Sequence, residues 1–335
     1  MHHDAMTTND EATEWQSHRL DLDAYLSHIG YDGELAPTLD VLRAITRAHV
    51  TSIPFEVVEI VLGRTISLEL TDIQDKIVYR NRGGYCYEHT LLFAAALERI
   101  GFGVTGLASR VRIGTDIRRP ATHALLRVET AETAETGKVY LSDPGFGRHP
   151  LEPMELTDGS ESTAGGWGFR LRQEATGTGA PLYVMQTRGA DGWFDLHGFT
   201  LDQRYPQDYM VSSHYLSTHT RSPFWGRLVV QHMREDCHYF LDGSVLTKTL
   251  PDGTTTARTY SPDEIPALLQ DLFGVELAHT DHDELVARVY AARQAVALYP
   301  ATVNLTTREQ TVQPLWSRGA GHHRAARNKP RTSLV

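Results

Sequence analysis

The sequence predicts an α+β protein in which helices come first, antiparallel strands second and a mixed region last. Three observations predict it. Apolar residues recur at helical spacing up to Gly101. Short β-like runs separated by turn residues begin after Gly103. A strand meander followed by a strongly capped helix fills the last third. The 335 residues, 41% hydrophobic and 22% charged, are enough for two or three domains with sizeable cores.

Residues 1–17 read as a mobile lead and 18–103 as a helical bundle. In the bundle, Leu22, Tyr25, Leu26 and Ile29 share a helix face that stops at Gly30. Thr38 caps a second helix carrying Leu39, Leu42, Ile45 and His49. Ile53 precedes a proline, so Ser52–Glu56 is expected to be an extended turn. A third helix starts near Cys86 and runs to Ile100. Residues 104–214 read as an antiparallel sheet or barrel, with strands at Val104–Val111, His123–Glu129, Lys138–Asp143, Gly168–Gln173, Leu182–Thr187 and Trp193–Leu196.

In 215–317 the expected strands are Arg227–Met233, His238–Leu241, Val245–Thr249 and Thr255–Tyr260. Ser261-Pro262-Asp263-Glu264 then starts a helix, with a serine cap, proline at the first position and glutamate at the third. A further helix is expected over Asp283–Ala292. Residues 318–335, with Arg324, Arg327, Lys329 and Arg331 and no acid, read as a disordered basic tail.

The formal net charge of −10 argues against a general nucleic-acid-binding surface. No apolar stretch is long enough to span a bilayer, and the polar start Met1–Met6 does not read as a signal peptide. Cys86 and Cys237 build no disulfide framework and belong to no paired-cysteine metal motif. His2-His3 and His322-His323 are isolated, and no metal site is expected. A reduced, cytoplasmic protein is the expectation.

The chemistry centres on Arg82-Gly83-Gly84-Tyr85-Cys86-Tyr87-Glu88. A thiol at a helix N-terminus meets unpaired N–H groups and the positive end of the helix dipole. Both favour the thiolate, the nucleophilic form of cysteine. A cysteine nucleophile needs a base, and the base needs an orienting group. His123 opens one expected strand and Asp143 closes the next. A hairpin symmetric about Thr133 sets the two directly opposite, within reach of a carboxylate–imidazole contact. Each feature also has a plain structural reading: a buried small cysteine, a strand histidine, an Asp-Pro-Gly turn. Their occurrence in one pattern favours chemistry. Cys237 lacks such a context and reads as non-catalytic.

That pattern resembles the arylamine N-acetyltransferase family. The Arg-Gly-Gly-x-Cys-x-Glu block stands at Arg82–Glu88, the strand-opening Thr-His at Thr122-His123, and the Asp-x-Gly-Phe-Gly turn at Asp143–Gly147. An Ile-Pro-Phe-Glu block stands at Ile53–Glu56. Phe199-Thr200-Leu201 and Ser217–Phe224 match the entry to the third domain. The resemblance spans about Leu20 to Phe273.

It implies an N-terminal helical bundle, a central antiparallel β-barrel and a C-terminal α/β lid around a cysteine-protease-like catalytic core. It further implies ping-pong acyl transfer: Cys86 takes the acetyl group from acetyl-CoA, and an arylamine, arylhydrazine or N-hydroxyarylamine then accepts it. His123 acts as base, Asp143 orients His123, and no metal is required. Phe55, Phe146 and Phe199 are expected around the acceptor, with Thr122, Gly145 and Gly147 beside substrate or cosubstrate. Arg82 and Glu56 are expected as a structural ion pair beneath the site. Rival readings are a macrolactam-forming amide synthase of the same fold, a Cys-His-Asp hydrolase or transglutaminase-like enzyme, and a non-catalytic binding protein. The acyl-chain preference, physiological acceptor and oligomeric state do not follow from the sequence.

Overall fold

The structure is a computed structural model and describes residues 14–298 except 116, 178, 190 and 191. The first helices are α1 (Leu22–Ile29) and α2 (Leu39–Ser52). The Asp21 carboxylate accepts from Ala24 N at 3.0 Å to cap α1, and Gly30 closes it at φ 68°. Thr38 caps α2 through Val41 N, and α2 ends where Ile53 must be extended ahead of Pro54.

Next come β1 (Phe55–Glu56), α3 (Val58–Val61), α4 (Leu70–Gln74) and a π-helical turn at Asp75–Tyr79. The helix α5 (Cys86–Ile100) follows. It is buried nearly all round, with Leu92–Leu97 fully enclosed, so its sequence shows an apolar run and no single stripe. It packs against α1, α4 and two strands of the barrel.

The barrel strands are β2 (Gly103–Val111), β3 (His123–Glu129), β4 (Tyr140–Ser142), β5 (Met154–Glu155), β6 (Glu161–Ser162), β7 (Phe169–Ala175), β8 (Pro181–Gly189) and β9 (Gly192–Phe199), with the single turn α6 (Thr133–Thr136) between β3 and β4. They form one antiparallel sheet in the order β5-β4-β3-β2-β9-β8-β7-β6, nearly closed as a barrel. Its interior holds a separate core of Leu107, Leu125, Trp167, Phe169, Met185 and neighbours. Along β3, Leu125 joins this core while Ala124, Leu126 and Val128 join the one around α5, so the strand is buried on both faces.

After α7 (Pro206–Thr218), β10 (Val229–Met233), β11 (His238–Asp242), β12 (Val245–Thr249) and β13 (Thr255–Thr259) form a meander, followed by α8 (Ile265–Phe273) and α9 (His279–Leu298). The expected Ser261–Glu264 capping box is present, with Ser261 N donating to Glu264 Oε2 at 2.7 Å. The chain is thus of mixed helix and sheet with an eight-stranded barrel at its centre, as the sequence predicts.

Four details differ from the expectations. Trp15, placed in the lead, is only 3% exposed; its indole packs over Gly106 and donates to Val104 O at 3.4 Å, so burying an aromatic orders this end of the chain. The rest of the expected lead, 1–13, and the basic tail, 318–335, lie outside the described residues. The boundary expected at 214 falls inside α7, because Tyr205-Pro206-Gln207-Asp208 is itself a helix start with Asp208 accepting from Tyr205 N at 3.0 Å. The expected turn at Phe55–Glu56 is an edge strand: Phe55 pairs with Gln231 of β10, which carries the third region's sheet to the loop before Cys86. The last helix is longer than Asp283–Ala292, spanning all of α9.

Among the described residues no helix is long and apolar enough to cross a membrane.

Candidate active site

Cys86 is the first residue of α5, and the loop before it is held from below by charge. The Glu88 carboxylate accepts from Tyr85 N at 3.0 Å and takes the Lys76 ammonium at 2.9 Å. Glu56 takes the Arg82 guanidinium at 2.7 Å and accepts from Val58 N at 2.6 Å, while Arg82 also reaches Glu59 at 3.0 Å. The expected Arg82–Glu56 pair is therefore present, inside a larger buried cluster. Every member has an opposite charge, the condition under which buried ions are tolerated. We expect Glu88→Ala to destabilise the protein by about 3–5 kcal/mol, because Lys76 stays buried with only a 3.5 Å contact to Glu56 and Tyr85 N loses its acceptor. Urea unfolding checks this; a loss below ~1 kcal/mol would mean that the cluster relaxes freely.

A neutral chain supports the same loop. Tyr25 Oη lies 2.8 Å from His49 Nδ1, His49 Nε2 lies 2.9 Å from His89 Nδ1, and His89 Nε2 lies 3.2 Å from Pro54 O. A carbonyl only accepts, so each donor in turn is fixed: His89 Nε2–H, His49 Nε2–H, Tyr25 O–H. Burial lowers the pKa of both histidines, which keeps them neutral as this pattern requires. Pro54 O also accepts from Gly84 N at 3.3 Å, two residues before the thiol.

The candidate base comes from the barrel. His123 Nε2 donates to Asp143 at 2.9 and 3.0 Å, which leaves Nδ1 as the nitrogen able to serve Cys86. Cys86 and His123 are each 4% exposed and Asp143 6%. Burial would lower the His123 pKa. The Asp143 charge, the Asp143 hydrogen bond and a hydrogen bond to Cys86 outweigh it and raise the pKa to about 10. Burial would likewise raise Asp143, but His123 and His197 hold its carboxyl well below the usual range.

The hairpin register differs from the symmetric one. Leu126 pairs with Ser142, so Asp143 continues opposite Leu125 rather than His123. The offset is two residues. An even slip keeps both side chains on one face, and Asp143, just beyond the end of β4, still reaches the imidazole. The extra residues are absorbed by the α6 turn.

The other candidate residues fall around this centre to different degrees. Thr122 O accepts from Tyr87 Oη at 2.8 Å and lies 3.9 Å from Cys86 Sγ, tying the start of β3 to α5. Phe146 stands edge-on to His123, ring centroids 4.9 Å apart. Phe199 stacks on Tyr183 at 5.6 Å and lies 6.1 Å from His197. Phe55 bridges to Gly84 and packs on Phe224 at 5.9 Å. Gly147 backs onto Gln231. Two surface cavities, of about 540 and 550 Å³, are lined by other residues, the second above Lys76, Arg82 and Glu88. The reactive side chains rather than cavity size mark the site, because acyl transfer needs a nucleophile beside a base.

A helix-start cysteine beside an Asp-held histidine suits acyl transfer. The N-acetyltransferase family model matches residues 38–282. The arylamine N-acetyltransferase of Mycobacterium bovis is 34% identical over 282 residues, covering 80% of this chain and 97% of that protein. The chain belongs to the arylamine N-acetyltransferase family. The crystal structure of the Nocardia farcinica arylamine N-acetyltransferase is similar at 48% identity and a TM-score of 0.79, covering 83% of this chain and 97% of that one. The Mycobacterium marinum arylamine N-acetyltransferase, solved in complex with CoA, is similar at 31% identity and a TM-score of 0.72, covering 82% and 99%. The protein is an acetyltransferase, and hence an acyltransferase, as the motifs imply.

The sequence does not single out one residue near the centre of this arylamine N-acetyltransferase family member. His197, on β9, is fully buried, and its Nε2 lies 3.0 Å from Asp143 Oδ2, with the ring N–H off the line of contact. Burial lowers its pKa, so it is a neutral neighbour of the carboxylate. The alternation Asp195, His197, Phe199 is its only trace in the sequence, and among 17 histidines that distinguishes nothing.

Gly145 yields a sharp prediction for the acetyltransferase. A Cβ there would lie 2.8 Å from both Cα and O of Cys86. Gly145→Ala should push the Cys86 backbone away and lower kcat/KM by about 10²-fold, since misplacement on the order of 1 Å has that cost. Steady-state acetylation checks it, and unchanged kinetics would show that the loop yields instead.

Proposed function

We propose that this acetyltransferase carries acetyl from acetyl-CoA to an arylamine, arylhydrazine or N-hydroxyarylamine through an acetyl-Cys86 intermediate, with His123 and Asp143 completing the triad. The observation that carries it is the imidazole held by Asp143 through Nε2, with Nδ1 left for Cys86. The CoA complex of the M. marinum relative supports the donor, and the names of the relatives support the acceptor class.

In the first half the Cys86 thiolate attacks the acetyl carbon. The Sγ–C bond forms, the C–S bond to CoA breaks, and His123 supplies the proton that leaves with CoA. Acylation removes the Cys86 charge, one of the groups that keep a proton on His123, so the imidazole becomes a better base. In the second half the amine attacks, the C–N bond forms, the Sγ–C bond breaks and His123 takes the amine proton. Backbone N–H groups in the first turn of α5 have no intrahelical partner and are available to the tetrahedral oxyanion. Phe146 and Phe199 would supply apolar faces for an aromatic acceptor, with Phe55, Thr122, Gly145 and Gly147 shaping the approach. Two free cysteines are in keeping with a cytoplasmic setting.

Intact-protein mass after mixing with acetyl-CoA and no acceptor tests the proposal. One added acetyl group, absent from Cys86→Ala and discharged by an arylamine or arylhydrazine, is expected. No adduct and no CoA release with amine present would shift the reading to the amide synthase or the hydrolase.

A further inference from the structure

His123, Asp143 and His197 place three ligand atoms within 4.8 Å of one another, all from buried side chains. The two contacts to the carboxylate are short: His123 Nε2 at 2.9 and 3.0 Å, and His197 Nε2 at 3.0 Å. A tetrahedral zinc with donors at ~2.0–2.1 Å needs those donors roughly 3.3 Å apart, so each nitrogen–oxygen pair lies within a few tenths of an ångström of a zinc-binding edge. Two imidazoles and one carboxylate form a ligand set that zinc takes in enzymes, with one position left open.

His197 is the second, independent observation. It is fully buried, yet neither ring nitrogen makes an aligned hydrogen bond among the described residues. The Nε2 contact to Asp143 at 3.0 Å is off the line of a hydrogen bond, and Nδ1 has no partner among the described residues. A cation on Nε2 would turn that contact into two coordinate bonds. Buried polar atoms without partners call for such an explanation.

We propose that His123, Asp143 and His197 form an inhibitory site for a borderline divalent cation, Zn²⁺ in the first instance, superposed on the catalytic triad. In the acetyl-enzyme His123 is neutral with its one proton on Nε2, and binding there moves that proton through solvent to Nδ1, with none lost overall. Coordination through Nε2 leaves the imidazole proton on Nδ1, the nitrogen that faces Cys86. His123 then has no lone pair for the incoming amine's proton, and the second half-reaction stops. No electron is transferred. The binding claim stands on the three side chains alone; the inhibition rests on the function proposed above.

The test uses the full chain with Cys86→Ser, which removes the triad thiol, and Co²⁺ as a visible probe. One Co²⁺ per chain with four-coordinate d–d bands and no sulfur-to-metal charge transfer is expected, at least tenfold weaker in Cys86→Ser/His197→Phe. Should that double variant fail to fold by circular dichroism, Cys86→Ser/His197→Gln replaces it. Zinc-edge X-ray absorption of zinc-loaded Cys86→Ser protein is an independent check, with two imidazoles and light-atom donors expected. In wild-type protein, zinc should slow discharge of acetyl-Cys86 by amine at least tenfold, reversibly with chelator. No Co²⁺ uptake by Cys86→Ser, equal uptake by the His197 variant, or a single-imidazole shell each overturns the site. Acetyl labelling of Cys86 is measured separately in chelator, so failure of the metal site and failure of the transferase reading are distinguishable.

Discussion

Cys86→Ala is expected to reduce acetyl-CoA-dependent acetylation of an arylamine by on the order of 10⁴-fold or more while leaving the fold intact. The size follows from the role: when a covalent route is removed, its partners cannot act without it. His123 would still be held by Asp143, but with no thiolate to serve. The fold should survive because Cys86 is a small side chain in the first turn of α5. That turn is set by the Glu88 cap and the Lys76–Glu56–Arg82 charges rather than by the thiol. Alanine is also the better helix former. Steady-state rates and a urea midpoint within ~1 kcal/mol of wild type check both halves. Normal turnover by the variant would remove the central proposal.

Asp143→Asn is the second large effect, with kcat/KM expected to fall by about 10³–10⁴-fold. The carboxylate does two things here. It fixes the ring so that Nδ1 faces Cys86, and it keeps the buried imidazole charged against a desolvation penalty that alone would neutralise it. An amide keeps the shape and loses the charge.

A pH signature follows. His123 has its folded pKa raised to about 10 from 6.5, so its contribution to stability is fully present below pH 6.5 and is lost as pH rises through about 10. Asp143 is depressed below 3.8, so its contribution is present above that value and lost in acid. The stability gap between wild type and Asp143→Asn should therefore be widest between about pH 4 and 6.5 and narrow toward pH 10. Urea unfolding across that range, in chelated buffer, reads it directly. A gap that widened toward alkaline pH would mean that His123 is not a charged partner of Asp143 in the folded protein.

Much of the fold is legible in the sequence because its signals are local. Gly30 and Gly101 end helices, Thr38 and Ser261 begin them, and the strands from His123 to Phe199 are short runs separated by turn residues. The nucleophile loop is legible for a related reason. Arg82–Glu88 packs two glycines, a helix start, a thiol and a capping glutamate into seven consecutive residues, and each acts on its near neighbours.

What escapes the sequence is what depends on distant segments meeting. Phe55–Glu56 follows a proline and makes only two residues of strand, too short for a period, and becomes β1 only because β10 offers its edge. The hairpin symmetry puts His123 and Asp143 on the right face but two residues out of register. A loop's internal turn, here α6, sets the register, and pattern alone fixes only the parity.

The sequence by itself therefore determined the order of helices and strands, the nucleophile loop and the identity of the three residues proposed to do the chemistry. The tertiary structure alone decided that His197 stands beside Asp143, that Trp15 closes over the barrel, and that Lys76 joins the expected Glu56–Arg82 pair under Cys86. The physical reason is range. Caps, turns and periodicity act over a few residues, whereas desolvation and charge pairing act through space between segments that the chain itself keeps far apart.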